Sequence, residues 1–214
     1  MMRRLETILF AGLLVVLNGP LFVGSFSEGL IYLPEKVAQG QFYRLLTHPF
    51  VHISLYHLVL DGVAFLILYS QLQAKSIIRR MTYLLGIHAA VVVGVTASLG
   101  HINATGYCGI SGVAHGLMAI WCMERIFSTQ TTSEQKTEQW IAGAVLLGLI
   151  AKCIYEVTVG HVVFESMHLG DVGVPVVVSH LWGVIGALAV FSIYNSLFSI
   201  YKKKRIVRVS FNYV

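Results

Sequence analysis

The sequence predicts an all-α membrane protein, a bundle of six transmembrane helices with both termini in the cytoplasm. Three observations support this prediction. Hydrophobic residues make up 56% of the chain and charged residues only 12%, whereas soluble domains carry about a quarter charged residues. Six apolar segments each approach the roughly 20 residues that a helix needs to cross a bilayer. Basic residues lie between these segments and at the chain ends, which is typical of integral membrane proteins.

The predicted helices form one membrane domain, residues 1–214. The first helix follows Arg3 and Arg4 like a signal peptide, but no small-x-small cleavage site comes after it, so we expect it to be retained. Residues 24–43 mix polar and apolar side chains and are expected at the membrane surface. The approximate bounds of the six helices are 7–23, 45–72, 83–99, 111–127, 140–159 and 174–200, followed by a basic cytoplasmic tail at 201–214.

Helices two, four and six carry polar side chains at membrane depth. His57 and Asp61 are four residues apart in helix two and share one of its faces. Ser111 begins helix four, and His180 lies near the start of helix six. Such groups are costly in a bilayer and usually face the bundle interior or a water-filled cavity. Together with His52 they make five such groups in the outer half of the bundle, which are therefore the candidates for a functional site.

The positions of Lys and Arg predict the orientation of the bundle. Twelve of the 15 basic residues precede helix one, connect helices two and three or four and five, or follow helix six. Because cytoplasmic loops are enriched in Lys and Arg, Ser111 and His180 are predicted at one depth on the non-cytoplasmic side. We expect a bacterial inner membrane with this side facing the periplasm. The charged residues assigned to the non-cytoplasmic side are Lys36, Arg44 and Lys152 and the acidic loop residues Glu156, Glu165 and Asp171.

Ser111 and His180 admit two interpretations. In the first they are a nucleophile and its base, because a serine hydroxyl is a weak nucleophile until histidine takes its proton. An acyl-transfer transition state also needs oxyanion donors, for which His57 and the backbone N–H of Ser111 or Ile110 are candidates. In the second, Ser111 packs between helices and His180 bonds to a carbonyl. Their common depth, beside close-packing glycines such as Gly112, favours catalysis.

Four segments resemble the rhomboid intramembrane serine proteases. Gly109-Ile110-Ser111-Gly112 resembles their nucleophile motif, and Ser179-His180-Leu181-Trp182-Gly183 resembles their sixth-helix histidine segment. Tyr43-Arg44-Leu45-Leu46-Thr47-His48 resembles the aromatic-Arg segment that closes their first loop. His52 and then His57-Leu58-Val59-Leu60-Asp61 resemble their second-helix pattern, in which an asparagine follows a histidine by four residues. The order and spacing of these segments agree over roughly residues 42–191.

The resemblance implies a serine endopeptidase that cleaves membrane-anchored proteins near the non-cytoplasmic face. It implies that Ser111 is the nucleophile and His180 the general base, in a dyad that no carboxylate orients. It implies a structural role for Arg44, which would anchor the first loop, and it implies no cofactor. The residues that the resemblance assigns to the oxyanion region and its support are His57, Asp61, Gly109 and Ile110.

Two positions depart from the family pattern. Asp61 stands where the family usually has asparagine, and an ionised carboxylate repels an oxyanion that an amide would bind. We expect Asp61 either to be neutral through burial or to pair with His57 and keep that ring protonated. His115 stands where many rhomboids have an aromatic residue. With Gly116 it resembles the rhombosortase subgroup, which is thought to process proteins that carry C-terminal sorting helices of the Gly-Gly type.

Metal and nucleic-acid binding are not expected. The net charge of +5 lies between the apolar segments and at the ends, which gives no case for nucleic acid. Helix two carries four residues with metal-binding side chains, which are four, five and four positions apart. In a continuous helix these spacings would distribute the side chains around the axis, away from a common metal ion. These residues are His48, His52, His57 and Asp61.

Alternatives to a protease remain open. A non-catalytic rhomboid-like protein would bind transmembrane helices without cutting them, and Asp61 is the feature that keeps this alternative, although the serine and the histidine are both present. A transporter is less favoured because no repeat of interrupted helices is visible. The expected partners are membrane-anchored substrate proteins and the lipid bilayer, and the sequence predicts no particular oligomeric state.

Overall fold

Helices account for the regular structure of this protein. The computed structural model describes residues 2–98, 102–129, 132–163, 165 and 169–211, of which 199–211 are described by their backbone alone. No strand occurs in these ranges, and Tyr32 and Tyr107 pair as an isolated antiparallel bridge. The α-helices are α1 Met2–Leu17, α2 Pro34–Ala38, α3 Arg44–Thr47, α4 Leu55–Ser70, α5 Ile77–Ser98, α6 Ile102–Thr105, α7 Ser111–Ile126, α8 Ser133–Val159 and α9 Val178–Phe211, with 3-10 helices at Gly19–Val23, Glu28–Leu30 and His48–Phe50.

Three of the described helices, α5, α8 and α9, are long and apolar enough to cross a membrane. The segments Arg44–Phe50 and Leu55–Ser70 add a fourth span if they are taken together. The helices α1 and α7 have 16 residues each, so each is about 24 Å long at 1.5 Å per residue, shorter than the roughly 30 Å hydrocarbon core. The all-α membrane class is confirmed, whereas six crossings and cytoplasmic termini stay predictions.

The predicted second helix is not continuous. The chain bends by 97° between Arg44–Phe50 and Leu55–Ser70. Proline stands at the start of the 3-10 helix before the bend, and Ser54 caps α4 after it, its Oγ accepting from the backbone N–H of His57 at 3.0 Å. A serine N-cap satisfies a donor that the first turn of a helix leaves free. The expectation of one helix over 45–72 is therefore wrong, and the bend redirects the residues that precede it.

Glycines let α7 and α9 approach each other closely. A Cβ added to Gly116 would lie 2.7 Å from the backbone oxygen of Gly183, and one added to Gly183 would collide with the backbone oxygen of Gly112. Small residues at such positions allow direct backbone contact between membrane helices. The predicted close packing of these two helices is confirmed, and it sets the start of α7 beside the start of α9.

A polar cluster ties α1 to the far end of α4 and to α5. Arg80 donates through Nε to Glu6 Oε2 at 2.8 Å, and the hydroxyl of Tyr69 donates to the same oxygen. Arg3 reaches the backbone oxygens of Ser70 and Ala74, each at 3.2 Å. A buried charge pair needs such additional hydrogen bonds to offset the loss of hydration. This cluster lies at the end of α4 that is remote from His57, so it fixes the bundle without touching the candidate site.

The first loop is held from within by Arg44. Its Nη1 donates to the backbone oxygens of Ile31 at 2.7 Å and Glu28 at 3.2 Å, and its Nε donates to Gln41 Oε1 at 2.7 Å. The predicted structural role of Arg44 as the anchor of this loop is confirmed.

Helices α5, α8 and α9 exceed their predicted bounds. Helix α5 begins at Ile77 rather than at about residue 83. Helix α8 begins at Ser133 rather than at about 140, because Thr132 and Gln135 form a reciprocal capping box. Helix α9 begins at Val178 and continues to Phe211, so most of the predicted tail at 201–214 is helical in its backbone. Residues 212–214 of that tail lie outside the described residues.

Candidate active site

Four predicted site residues line a single cavity of about 980 Å³. That volume is at the upper end of the range typical of ligand pockets. The lining comes from the starts of α4, α7 and α9 and from the last turns of α8, so the closely packed helix ends meet there. Apolar residues such as Ile31 and Val176 complete its wall. The four predicted residues are His57, Asp61, Ser111 and His180.

Ser111 is the first residue of α7, and Ile110 is its N-cap. The preceding Gly109 has φ +97, and a Cβ there would lie 3.0 Å from His57 Nε2 and 3.1 Å from Asp61 Oδ2. Only glycine adopts this backbone conformation without strain. The first N–H groups of a helix have no partner within it, and Ser111 stands at that end of α7. The predicted supporting residues Gly109 and Ile110 thus shape the entry to the helix.

His180 is held by a carboxylate. Its Nδ1 lies 2.8 Å from Glu156 Oε2, and Glu156 in α8 has 0% of its surface exposed. The expectation that no carboxylate orients the histidine is wrong for this chain. The expectation that Glu156 lies in a loop is wrong, because it belongs to the last turn of α8. The signal that identifies it is its spacing of four residues from Lys152, which puts both on one helix face.

The contact with Glu156 fixes which nitrogen of His180 carries the proton. A carboxylate only accepts hydrogen bonds, so His180 Nδ1 carries the hydrogen and donates it. None of the hydrogen bonds among the described residues uses Nε2 of His180, which leaves that nitrogen to accept a proton. Ser111 lies in the same cavity, and this is the tautomer that a general base beside a serine requires.

His115 and Lys152 extend this network. The His115 ring stacks on the His180 ring with centroids 3.9 Å apart and an angle of 12° between the planes. Lys152 Nζ lies 2.6 Å from His115 Nε2 and 3.0 Å from Glu156 Oε2. Because an ammonium only donates, His115 Nε2 accepts and its Nδ1 donates to the backbone oxygen of Ser111 at 2.8 Å. Glu156 Oε1 accepts in addition from the backbone N–H of Val163 at 2.9 Å.

A second histidine–carboxylate group lies across the cavity. His57 Nε2 is 3.1 Å from Asp61 Oδ2, and His52 Nε2 is 3.8 Å from the same oxygen. Asp61 Oδ2 has no hydrogen-bond partner among the described residues, so its contact with His57 Nε2 is an approach at ion-pair distance. The predicted proximity of His57 and Asp61 is confirmed. The expectation that helical spacing separates His52 from His57 and Asp61 is wrong, because the bend before α4 places His52 near Asp61.

His48 does not join this group. Its ring lies among the rings of Tyr32, Tyr107 and His88, with centroid separations of 5.4, 5.1 and 5.0 Å. Two sets of three metal-binding side chains therefore occur among the described residues, each with ligand atoms within 4.8 Å of one another. These sets are His52, His57 and Asp61, and His115, Glu156 and His180.

Comparison with known proteins gives one match. Residues 39–196 match the family model described as Rhomboid domain, which is well over half of the 214-residue chain. No curated protein and no solved structure matches. The matched region contains every residue of the two histidine–carboxylate groups and Ser111, and α1 precedes it.

Proposed function

Because the chain belongs to the rhomboid family, an integral membrane family whose members are generally intramembrane serine proteases, we propose that it is a serine endopeptidase that cleaves membrane-anchored proteins. Its nucleophile is Ser111 and its general base is His180. The observation that carries the proposal is the 2.8 Å contact of Glu156 Oε2 with His180 Nδ1, in the cavity that also contains Ser111. This arrangement gives a serine, histidine and glutamate in the order of a catalytic triad.

The chemistry follows from the proton positions. Ser111 Oγ attacks the carbonyl carbon of the scissile peptide bond while His180 Nε2 takes the hydroxyl proton. The resulting imidazolium donates that proton to the leaving amine, and the acyl-enzyme forms. Water, deprotonated by His180, then attacks the ester, and His180 returns that proton to Ser111 Oγ as the new carboxyl end leaves. Glu156 keeps its charge throughout, holds the ring in the reactive tautomer and stabilises the imidazolium.

Backbone donors at the start of α7 supply the oxyanion hole in this proposal. The developing negative charge needs preorganised donors, and the N–H of Ser111 lies at the helix end where no intrahelical acceptor exists. His57 is the side-chain donor, although the Asp61 carboxylate 3.1 Å from its Nε2 competes for it. We therefore assign the larger share of oxyanion stabilisation to the backbone.

The subgroup, topology and substrate complete the proposal. The place of His115 over the His180 ring supports an assignment to the rhombosortase subgroup, with substrates that carry Gly-Gly-type C-terminal sorting helices. Six crossings, cytoplasmic termini and a bacterial inner membrane with the cavity facing the periplasm are part of the same proposal. The alternative of a non-catalytic helix-binding protein loses support from the ordered tautomer of His180, which helix binding does not require.

Activity-based labelling tests the proposal. A fluorophosphonate or isocoumarin probe should label the purified wild-type protein but not Ser111→Ala, and cleavage of a membrane-anchored reporter should fail in Ser111→Ala and His180→Ala. Ser179→Ala, which removes a neighbouring hydroxyl on α9, is the matched control and should be labelled. Equal labelling of wild type and Ser111→Ala, or retained cleavage in that variant, would contradict the proposal.

A further inference from the structure

We propose that His52, His57 and Asp61 form a binding site for a divalent transition metal, with Zn²⁺ as the best match, beside Ser111. Two imidazoles and one carboxylate are a ligand set that zinc uses in proteins. The three residues come from the turn before α4 and from its first two turns, and the bend at 51–54 brings them together.

The separations of the ligand atoms suit a tetrahedral ion. Metal–ligand bonds of about 2.0–2.2 Å put the ligand atoms of a tetrahedron about 3.4 Å apart. Asp61 Oδ2 is 3.1 Å from His57 Nε2 and 3.8 Å from His52 Nε2, and each of the three residues offers one ligand atom within 4.8 Å of those of the other two. Small side-chain movements therefore complete a three-ligand site. The fourth position faces the cavity, since His57 and Asp61 line it.

The hydrogen bonds of these residues are incomplete in a way that a cation would satisfy. Nε2 of His52 and Oδ2 of Asp61, two of the atoms that would bind the ion, are buried and have no hydrogen-bond partner among the described residues. The His52 side chain is 0% exposed. Buried polar atoms without a partner are rare and costly. A bound metal ion would use a lone pair from each of the three side chains.

The set of His115, Glu156 and His180 already contacts a cation of the protein itself. The Lys152 ammonium contacts both His115 and Glu156, and Nδ1 of His180 is occupied by Glu156. A metal ion there would have to displace the ammonium. The two sets therefore differ in their capacity for an added ion, and the structure assigns the metal to the set that contains His52.

Asn18 holds the backbone of the metal-binding turn in place. Its Oδ1 accepts from the N–H of His52 at 2.7 Å, and its Nδ2 donates to the backbone oxygens of Phe50 at 2.6 Å and Leu14 at 2.7 Å. Asn18 is buried. Ligands whose own positions are fixed by a supporting shell bind metal more tightly, so this support is what a built site requires.

Metal binding should inhibit cleavage, a consequence that rests on the proposed function. The ligand atoms lie against Gly109, two residues before Ser111. An ion held there removes His57 from the oxyanion region and places its own hydration beside the nucleophile. The site thus makes the protein sensitive to free Zn²⁺ at its exposed face.

Zn²⁺ binding can be measured without reference to activity. The full-length protein in detergent micelles is titrated with Zn²⁺ against a fluorescent chelator, and its metal environment is measured by X-ray absorption. We expect one ion per chain in a shell of nitrogen and oxygen. His52→Gln and Asp61→Asn should each weaken binding by at least about tenfold, whereas Ser111→Ala and the buried-histidine control His88→Gln should bind as wild type does.

Three results would overturn the site. They are wild-type affinity in both His52→Gln and Asp61→Asn, a shell that contains sulfur, and loss of binding in His115→Gln alone. Thermal unfolding of each variant shows whether it is folded. The combination of cleavage and binding results separates this inference from the proposed function. Ser111-dependent cleavage together with an unchanged Zn²⁺ affinity in the His52 and Asp61 variants rejects the metal site alone. The expected binding pattern with no cleavage by any preparation rejects the protease alone.

Discussion

Two histidine–carboxylate groups flank the start of α7, and they are built from the same residue types with opposite results. In the group of His115, Glu156 and His180, Lys152 supplies a cation, and each of the contacts described above has a matching donor and acceptor. In the group of His52, His57 and Asp61, buried nitrogens and a buried carboxylate oxygen have no partner among the described residues. An internal ammonium thus completes the hydrogen bonds of the group that holds the His180 ring, whereas the group without an ammonium keeps buried atoms that are free to bind a metal ion.

The difference follows from the cost of burying charge. A carboxylate with no exposed surface, such as Glu156, needs a counter-charge and hydrogen bonds to remain ionised. Lys152, one helical turn earlier, supplies the charge, and His180 and Val163 supply further donors. Among the residues that the structure describes, Asp61 has two imidazoles near it and no ammonium.

Glu156→Gln should have the largest effect among variants that keep Ser111 and His180. An amide can donate to Nδ1 of His180, which moves the ring proton to Nε2 and blocks proton acceptance from Ser111. We expect kcat to fall by about 10³- to 10⁴-fold, as in triads that lose their carboxylate. Cleavage of a membrane-anchored reporter measures the effect, and Glu165→Gln, at an exposed acid paired with His161, is the control. A fall of less than tenfold would mean that His180 acts without its carboxylate.

Lys152→Met should convert the first group into one that lacks its cation. The methionine keeps an unbranched apolar chain in place of the lysine stem, and the buried Glu156 loses its ammonium. We expect a loss of stability of about 2 kcal/mol, below the about 3–5 kcal/mol for a fully buried pair, because the Lys152 side chain is 32% exposed. Thermal unfolding in detergent measures the loss. The double variant Lys152→Met/Glu156→Gln should recover part of it, and an equal or larger loss in the double variant would rule out charge as the cause.

Asp61→Asn should test whether the second group opposes catalysis. The substitution removes a negative charge 3.1 Å from His57 Nε2 and supplies an amide that can donate to the oxyanion. We expect kcat to rise by about tenfold, less than the 10²- to 10³-fold that a whole oxyanion donor contributes, because the backbone donors are already present. Cleavage at saturating substrate gives kcat directly. A decrease in kcat would show that the carboxylate supports the reaction.

His115→Phe should have the smallest effect. Phenylalanine keeps an aromatic ring over His180 but loses the hydrogen bonds to Lys152 and to the backbone oxygen of Ser111. We expect a loss of about 1 kcal/mol in the free energy of unfolding and retained cleavage. His161→Phe, at an exposed histidine, is the control. Complete loss of cleavage in His115→Phe with an unchanged unfolding temperature would assign His115 a chemical role beyond packing.

The sequence predicts most of the helices and the common location of Ser111 and His180 well, because both depend on local pattern. Gly109 and Ile110 lead directly into Ser111 at the start of α7. The glycines of α7 and α9 predict that these two helices approach closely, and the structure contains this approach. Topology from Lys and Arg put Ser111 and His180 at one depth, and both line one cavity.

Contacts between distant parts of the chain could not be predicted in the same way. Glu156 is 24 residues from His180, and no spacing rule connects an acid in one helix with a histidine in the next. The position of His52 depends on a 97° bend that an apolar run with one proline does not specify. The predicted length of a helix is too short where a cap such as Thr132 extends the helix into polar sequence.

The hydrogen bonds of Asn18 have a consequence for how far this domain extends. Asn18 follows α1 and precedes the region 39–196 that defines the family, yet it fixes the backbone of His52 and Phe50. The region that matches the family therefore has different boundaries from the part of the chain that these hydrogen bonds hold together. A fragment cut to the matched region would keep every candidate catalytic side chain and lose a support of its second histidine group. Variation before residue 39 can accordingly tune the site while the family signature stays unchanged.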